Sequence, residues 1–117
     1  NESVITHIIG DVKEQTPIII EDMIDTGSTI VNVVEGLKEN GAHNAYVCAT
    51  HPIFSEDAMN KLTHPNIKEI LVTDTLALRD HKPDHITVIS VAELIADAIQ
   101  IVECGGSIST LFKSGGV

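Results

Sequence analysis

Ile18-Ile19-Ile20-Glu21-Asp22-Met23-Ile24-Asp25-Thr26-Gly27-Ser28-Thr29-Ile30 is the stretch on which the fold turns. A β-branched apolar run meets two adjacent carboxylates, then Asp-Thr-Gly-Ser-Thr, then helical spacing. The run after Pro17 reads as a buried strand ending near Glu21 or Asp22. Ile30, Val33, Val34 and Leu37 recur at i, i+3, i+4 and i+7, the apolar face of a helix expected over 28–40. Gly41 stands where a helix C-terminus favours glycine. Carboxylates and hydroxyls therefore sit on a strand-to-helix turn. There the backbone N–H groups of the helix mouth point outward, a ready anion site.

The charges on this turn narrow what it can hold. Glu21, Asp22 and Asp25 face no base within 21–29. A phosphate here depends on the amides of Gly27, Ser28 and Thr29 and the hydroxyls of Thr26, Ser28 and Thr29. The acids suit neutral sugar hydroxyls, to which they are acceptors, or a hard cation such as Mg²⁺ held through Glu21 and Asp22. Phosphate at one end and diol acceptors at the other describe a sugar phosphate. Acids at strand ends and Ser/Thr at helix starts also occur in ordinary turns, but this pattern is longer than a cap requires.

The rest of the composition sets bounds. A chain of 117 residues is one domain or part of one, and 43% hydrophobic content with 3% aromatics calls for an aliphatic core. No apolar run approaches the ~20 residues a membrane helix needs, and no secretory leader pattern is visible. The net charge of −10 disfavours nucleic acid and anionic membrane as partners. It also opposes phosphorylated ligands, so a phosphate site must rest on short-range contacts. The seven bases are Lys13, Lys38, Lys61, Lys68, Arg79, Lys82 and Lys113, none in the motif loop; metal ions or another segment must supply any cation there. Cys48, inside an apolar run, reads as a buried free thiol and Cys104 precedes two glycines. The pair suggests no disulfide framework, so a reducing cytoplasmic setting is expected. A chain opening on Asn1 is expected to be a piece of a longer protein.

Along the chain, a strand-like run covers 4–9 and Gly10-Asp11 marks a turn. Strands are expected at 45–50, 69–73 and 86–90, with a short helix from 55 to about 62. His51-Pro52 is expected to break the second strand. Ser90-Val91-Ala92-Glu93 has the form of a capping box. It opens a helix whose stripe (Val91, Leu94, Ile95, Ala98, Ile101, Val102) is core or an oligomer contact. Gly105-Gly106 stops it, and 107–112 reads as a terminal strand or docked tail. Alternating strands and helices imply an α/β fold with a parallel sheet. Ligands then bind beyond the strands' carboxyl ends, where Glu21-Asp22, Thr50-His51 and Thr73-Asp74-Thr75 would gather.

The segment 21–29 resembles the phosphoribosyl pyrophosphate loop shared by phosphoribosyltransferases and ribose-phosphate pyrophosphokinases. Ile9-Gly10-Asp11-Val12, Ala49-Thr50-His51, Val72-Thr73-Asp74-Thr75, Ile89-Ser90-Val91-Ala92 and Ser107-Ile108-Ser109-Thr110-Leu111-Phe112 resemble the second family alone, in its order and spacing. The resemblance implies that 1–117 is the C-terminal part of a phosphoribosyltransferase-like (type I) domain, itself incomplete. It implies transfer of the β,γ-diphosphoryl group of ATP to the 1-hydroxyl of ribose 5-phosphate, releasing AMP, with Mg²⁺, in a homo-oligomer. Asp25, Thr26, Gly27, Ser28 and Thr29 would hold the 5-phosphate, Glu21 and Asp22 the ribose 2- and 3-hydroxyls. ATP would be bound mainly by a preceding half that also carries the catalytic cations. The chain alone is therefore expected to bind ribose 5-phosphate weakly and form no product. Ser107 and Ser109 resemble a region near a regulatory phosphate or ADP site.

Two departures from the family pattern stand out. Glu21 replaces an aspartate, and Pro52 and Glu56 stand where glycines are usual, which puts the backbone at that rim in question. This departure motivates a second reading, a non-catalytic regulatory subunit. A phosphoribosyltransferase is a third, opposed by the later segments, and a repressor sensing the same ligand lacks a basic patch. The histidines are not at metal-ligand spacing, and Pro83 interrupts His81-x-x-x-His85. His51 is the one most open to a functional role, with capping of a neighbouring carbonyl as the plainer one. Asp74 either touches ligand or starts a turn.

Overall fold

Parallel pairing organises the chain. The computed structural model describes residues 8–55, 57–78 and 82–114. Most of the strand-like run at 4–9, together with Glu56, Arg79, Asp80 and His81, lies outside the described residues. The elements are β1 (Ile18–Ile24), α1 (Ser28–Glu39), β2 (Ala45–Pro52), α2 (Ala58–Lys61), β3 (Ile67–Thr73), β4 (Ile86–Ile89), α3 (Ala92–Glu103) and α4 (Ser109–Ser114). The strands form one sheet in the order β1-β2-β3-β4, every neighbouring pair parallel. This is the expected α/β architecture. All four carboxyl ends share one rim, and the polar residues after β1, β2 and β3 meet there.

One sheet face makes the core. Ala45, Val47 and Ala49 of β2 and Ile70 and Val72 of β3 are buried and pack with Ile30 and Val34 of α1, Ala58 of α2, and Leu62. The alternate residues Tyr46 and Cys48 are half-buried on the other face, as the two-residue period of a strand demands. Cys48 is thus not the buried thiol expected from its apolar neighbours, although both cysteines are free.

Both strands at the rim run further than the sequence suggests. β1 continues through Glu21 and Asp22 to Ile24, which is buried. The acids therefore lie within the strand, and the turn begins at Asp25. Nor does Pro52 break β2: it ends the strand, buried and paired with Ile24. The donor that proline lacks is replaced downstream, because Ile53 N–H and Phe54 N–H both donate to Ile24 O at 3.1 Å. The positive φ at this rim falls on Phe54 (47°). The short helix here is only four residues, shorter than 55–62.

The C-terminal third departs most. Residue 107 onward forms no strand, but the short helix α4. α3 is present, yet none of its residues is buried, and its apolar stripe stands open, with Val102 57% exposed. The stripe is therefore no part of this chain's core. With a radius of gyration of 17.0 Å against roughly 13 Å for a compact domain of this length, the two helices project from the sheet.

What ties α3 to the sheet is a side chain, not packing. Asp74, just after β3, accepts from the Ser90 hydroxyl at 2.6 Å and from Val91 N–H at 2.9 Å. Ser90 Oγ in turn accepts from Ala92 N–H at 3.2 Å. The expected capping box is replaced by this Asp74–Ser90 clamp, a long-range contact rather than the local turn role expected of Asp74. The Ser90 hydroxyl first, then the Val91 N–H, hold the Asp74 carboxyl below the ordinary aspartate value. A depressed folded-state value means the clamp contributes above the unfolded-state pKa and is lost as pH falls through the lower folded one. In an NMR pH titration the Val91 amide shift should follow Asp74 with a midpoint below the usual ~4, and Asp74→Ala should abolish that titration. A midpoint at the ordinary value would contradict the clamp.

Candidate functional site

Gly27 sets the geometry of the α1 mouth. It occupies the N-cap position in the left-handed region (φ 79°), and no side chain caps the helix. A Cβ at this position would lie 3.3 Å from Leu62 Cγ and Cδ2, and Leu62 is fully buried. Glycine answers two needs at once: backbone sign and close approach. Without a side-chain cap from position 27, the amides of Thr29 and Ile30 keep their capacity for an external acceptor.

The turn before the helix is internally braced. Thr26 Oγ1 accepts from Ser28 N–H at 3.4 Å and donates to Ser28 Oγ at 3.3 Å. The segment after β2 braces it from outside. Ser55 N–H donates to Asp25 O at 3.1 Å, and the Ser55 hydroxyl donates to Asp25 Oδ1. Asp25 is thus bonded sideways to Ser55, which lessens its claim on the space above the amides.

The expected site residues divide into three groups. Glu21, Asp25, Thr26, Gly27 and Thr29 line one cavity of about 170 Å³ with Met23, Ile24 and Ile30. Asp22 does not line it: it follows Glu21 in a strand, where side chains alternate between faces, and its Oδ1 accepts from Met23 N–H at 2.7 Å. Of the two acids, Glu21 alone is among the residues lining this cavity. Ser28 faces a second hollow of about 430 Å³ with Asn32, Asn60, Lys61 and His64. Lys61 Nζ donates to Ser28 Oγ there at 3.0 Å. Sequence reading missed this lysine, because a contact across 33 positions leaves no periodic or motif signal.

Among the described residues no group of three or more His, Cys, Asp or Glu stands together to hold a metal. The single carboxylates at the mouth still suit an ion that arrives with phosphate oxygens, the usual habit of Mg²⁺. His51 completes a hydroxyl cluster at the rim rather than capping a carbonyl. Its Nδ1 lies 2.8 Å from Thr75 Oγ1, while Thr75 and Thr73 hydroxyls donate to Thr50 O at 3.1 and 2.6 Å. Ser107 and Ser109 do meet, with hydroxyls 2.8 Å apart, at the start of α4. There Ser107 also receives Ser109 N–H at 3.4 Å and serves as the helix's local cap. Neither α3 nor α4 packs substantially on α1 or the sheet, so these serines form a separate feature.

Sheet and mouth together define a phosphoribosyltransferase-like parallel α/β domain. A model of the phosphoribosyl synthetase-associated domain matches residues 2–113, and the chain belongs to this family. It is 41% identical over 116 residues to a ribose-phosphate pyrophosphokinase of Haemophilus ducreyi, covering 97% of this chain and 37% of that protein. It is 43% identical over 113 residues to one of Clostridium tetani, with coverages of 96% and 35%. A chloroplastic relative of Oryza sativa subsp. japonica is 40% identical over 114 residues, with coverages of 97% and 29%. The crystal structure of phosphoribosylpyrophosphate synthetase from Mycobacterium smegmatis superposes with a TM-score of 0.79 at 40% identity. It covers 84% of this chain and 33% of that one. The chain thus spans about a third of the relatives' length.

Gly27→Ala should destabilise the chain by about 1–3 kcal/mol through left-handed strain and the Leu62 contact. Urea unfolding checks this; an unchanged midpoint would mean the N-cap tolerates a side chain.

Proposed function

We propose that residues 1–117 form the C-terminal, ribose-5-phosphate-seating part of a phosphoribosyltransferase-like domain in a ribose-phosphate diphosphokinase. The whole reaction is transfer of the diphosphoryl group of ATP to the 1-hydroxyl of ribose 5-phosphate, giving phosphoribosyl pyrophosphate and AMP. The observation that carries the reading is the uncapped α1 mouth opening on a cavity lined by Glu21, Asp25, Thr26, Gly27 and Thr29. Relatives named for this activity match almost the whole chain.

The division of labour follows from the chemistry. Amides of 27–29 and the Thr29 hydroxyl donate to the phosphate, while the Thr26 hydroxyl, already donating to Ser28 Oγ, braces the loop. Glu21 accepts from the ribose hydroxyls within the same cavity. Asp22, on the opposite face of β1, is assigned no contact with the same end of the sugar. Asp25, fixed by Ser55, shapes the loop. Mg²⁺, when bound, neutralises charge on the phosphate oxygens, and Glu21 is the carboxylate placed to share it. Among the described residues no base lines the small cavity, so ATP and the developing charge need further protein, and the chain alone makes no AMP. The open stripe of α3 and the exposed Ile18 and Ile20 of the edge strand support assembly into a homo-oligomer. Two free thiols agree with a reducing cytoplasmic setting. No helix among the described residues is long and apolar enough to cross a membrane.

Amide NMR tests the seat directly. Ribose 5-phosphate should shift the amides of residues 26–29, and ribose without the phosphate should not. Thr29→Ala should weaken binding about tenfold, the effect of losing one hydrogen bond to a charged group. Incubation with ATP, Mg²⁺ and ribose 5-phosphate should yield no AMP. Shifts absent from 26–29, or AMP formation by the chain alone, would overturn the assignment.

A further inference from the structure

The α1 mouth holds three acids and no base in its own loop, yet an ammonium reaches it from elsewhere. Lys61, at the end of α2, extends to Ser28 Oγ. The same stretch of chain supplies Ser55, which holds Asp25, and Leu62, which backs Gly27. Residues 53–62 therefore position three consecutive features of the phosphate loop: its acid, its glycine and its first helical hydroxyl.

Hydrogen-bond direction gives the lysine contact a consequence. An ammonium only donates, so Ser28 Oγ must accept from Lys61; it also accepts from Thr26 Oγ1 at 3.3 Å. With its lone pairs engaged, the hydroxyl has only its proton left to offer. A hydroxyl so arranged is a donor to an anion and a poor acceptor. Ser28 is also the first residue of α1, so its amide belongs to the same mouth. Ser28 stands in the chain between Gly27 and Thr29, which line the seat, and the ammonium is one contact behind its hydroxyl.

We propose that Lys61 is a positioning residue for the sugar's phosphate, acting through Ser28: it turns the Ser28 hydroxyl into a donor and supplies the positive charge the loop lacks. This rests on the reading of the mouth as a ribose 5-phosphate seat. Lys61 touches Ser28 rather than ligand, and its charge acts at close range over a chain whose net charge is −10. Methionine in its place keeps the apolar stem and removes the charge; arginine keeps the charge.

The test titrates the ¹⁵N-labelled chain with ribose 5-phosphate, and separately with ribose, at low and high salt, for wild type, Lys61→Met and Lys61→Arg. Lys61→Met should weaken ribose 5-phosphate binding about tenfold and flatten its salt dependence. Lys61→Arg should restore most of both, and the response to ribose should be the same in all three. If Lys61→Met binds like wild type while wild type binds well, this inference fails and the seat stands. If both variants lose affinity equally, the lysine is merely structural and the inference fails again. If wild type shows no response to ribose 5-phosphate, the seat and the inference fall together.

Discussion

The interaction on which the site depends is the contact between Gly27 and Leu62. It explains why the first helix starts where it does and why nothing caps it. A left-handed residue before the first turn aims the helix's first amides out of the β1–α1 connection. Leu62, pinned in the core, leaves no room for a side chain that could fold back and occupy those amides. The usual N-cap residues satisfy their helix internally; a glycine in this position leaves that to something else. Core packing and the site are thus one construction, because the residue that fills the space beneath the turn also keeps its mouth empty.

Around that contact the chain sorts its charges by direction. Glu21 and Asp22 are neighbours in sequence but alternate in space, because β1 runs past both of them. Asp25 is drawn sideways by Ser55. Of the three acids, Glu21 and Asp25 line the cavity, and among the described residues Asp25 is the one of this pair that accepts from a neighbouring side chain. Lys61 approaches from the other side. The loop's formal charge overstates the repulsion an incoming anion meets.

The sequence was most legible where one period governs a whole element. β1's apolar run, the i, i+3, i+4, i+7 face of α1 and its glycine stop, the apolar run of β2 and the helical stripe of α3 all appear with errors of a few residues at their ends. Those errors have a cause. β1 and β2 lengthen each other: Met23 pairs with His51 and Ile24 with Pro52, so each strand is extended by a partner that neither sequence segment shows. What could not be read was any feature made by two distant segments. Asp74's clamp on Ser90, Ser55's hold on Asp25 and Lys61's reach to Ser28 each join polar residues 16 to 33 positions apart. Polar residues carry no hydrophobic period that would announce the meeting. The motif residues were identified as a group, but their division between two faces and two hollows came only with the fold.

The acidity of the chain need not conflict with an anion seat, because the two act over different distances. Exposed charges more than about 8–10 Å away are largely screened at physiological salt. The dipole of a helix mouth acts within its first turn, where an anion gains about 0.3–1 kcal/mol at an exposed surface and more when partly shielded. Each hydrogen bond to a charged partner adds about 1.5–3 kcal/mol. In the proposed seat, a few amides, one threonine hydroxyl and a lysine-oriented serine would outweigh a diffuse negative field, provided they are held in place before the ligand arrives. That proviso is what Gly27, Ser55 and Leu62 supply. On the proposed reading such a loop can be acidic, because local donors would secure the phosphate and Glu21 would be left to select the sugar.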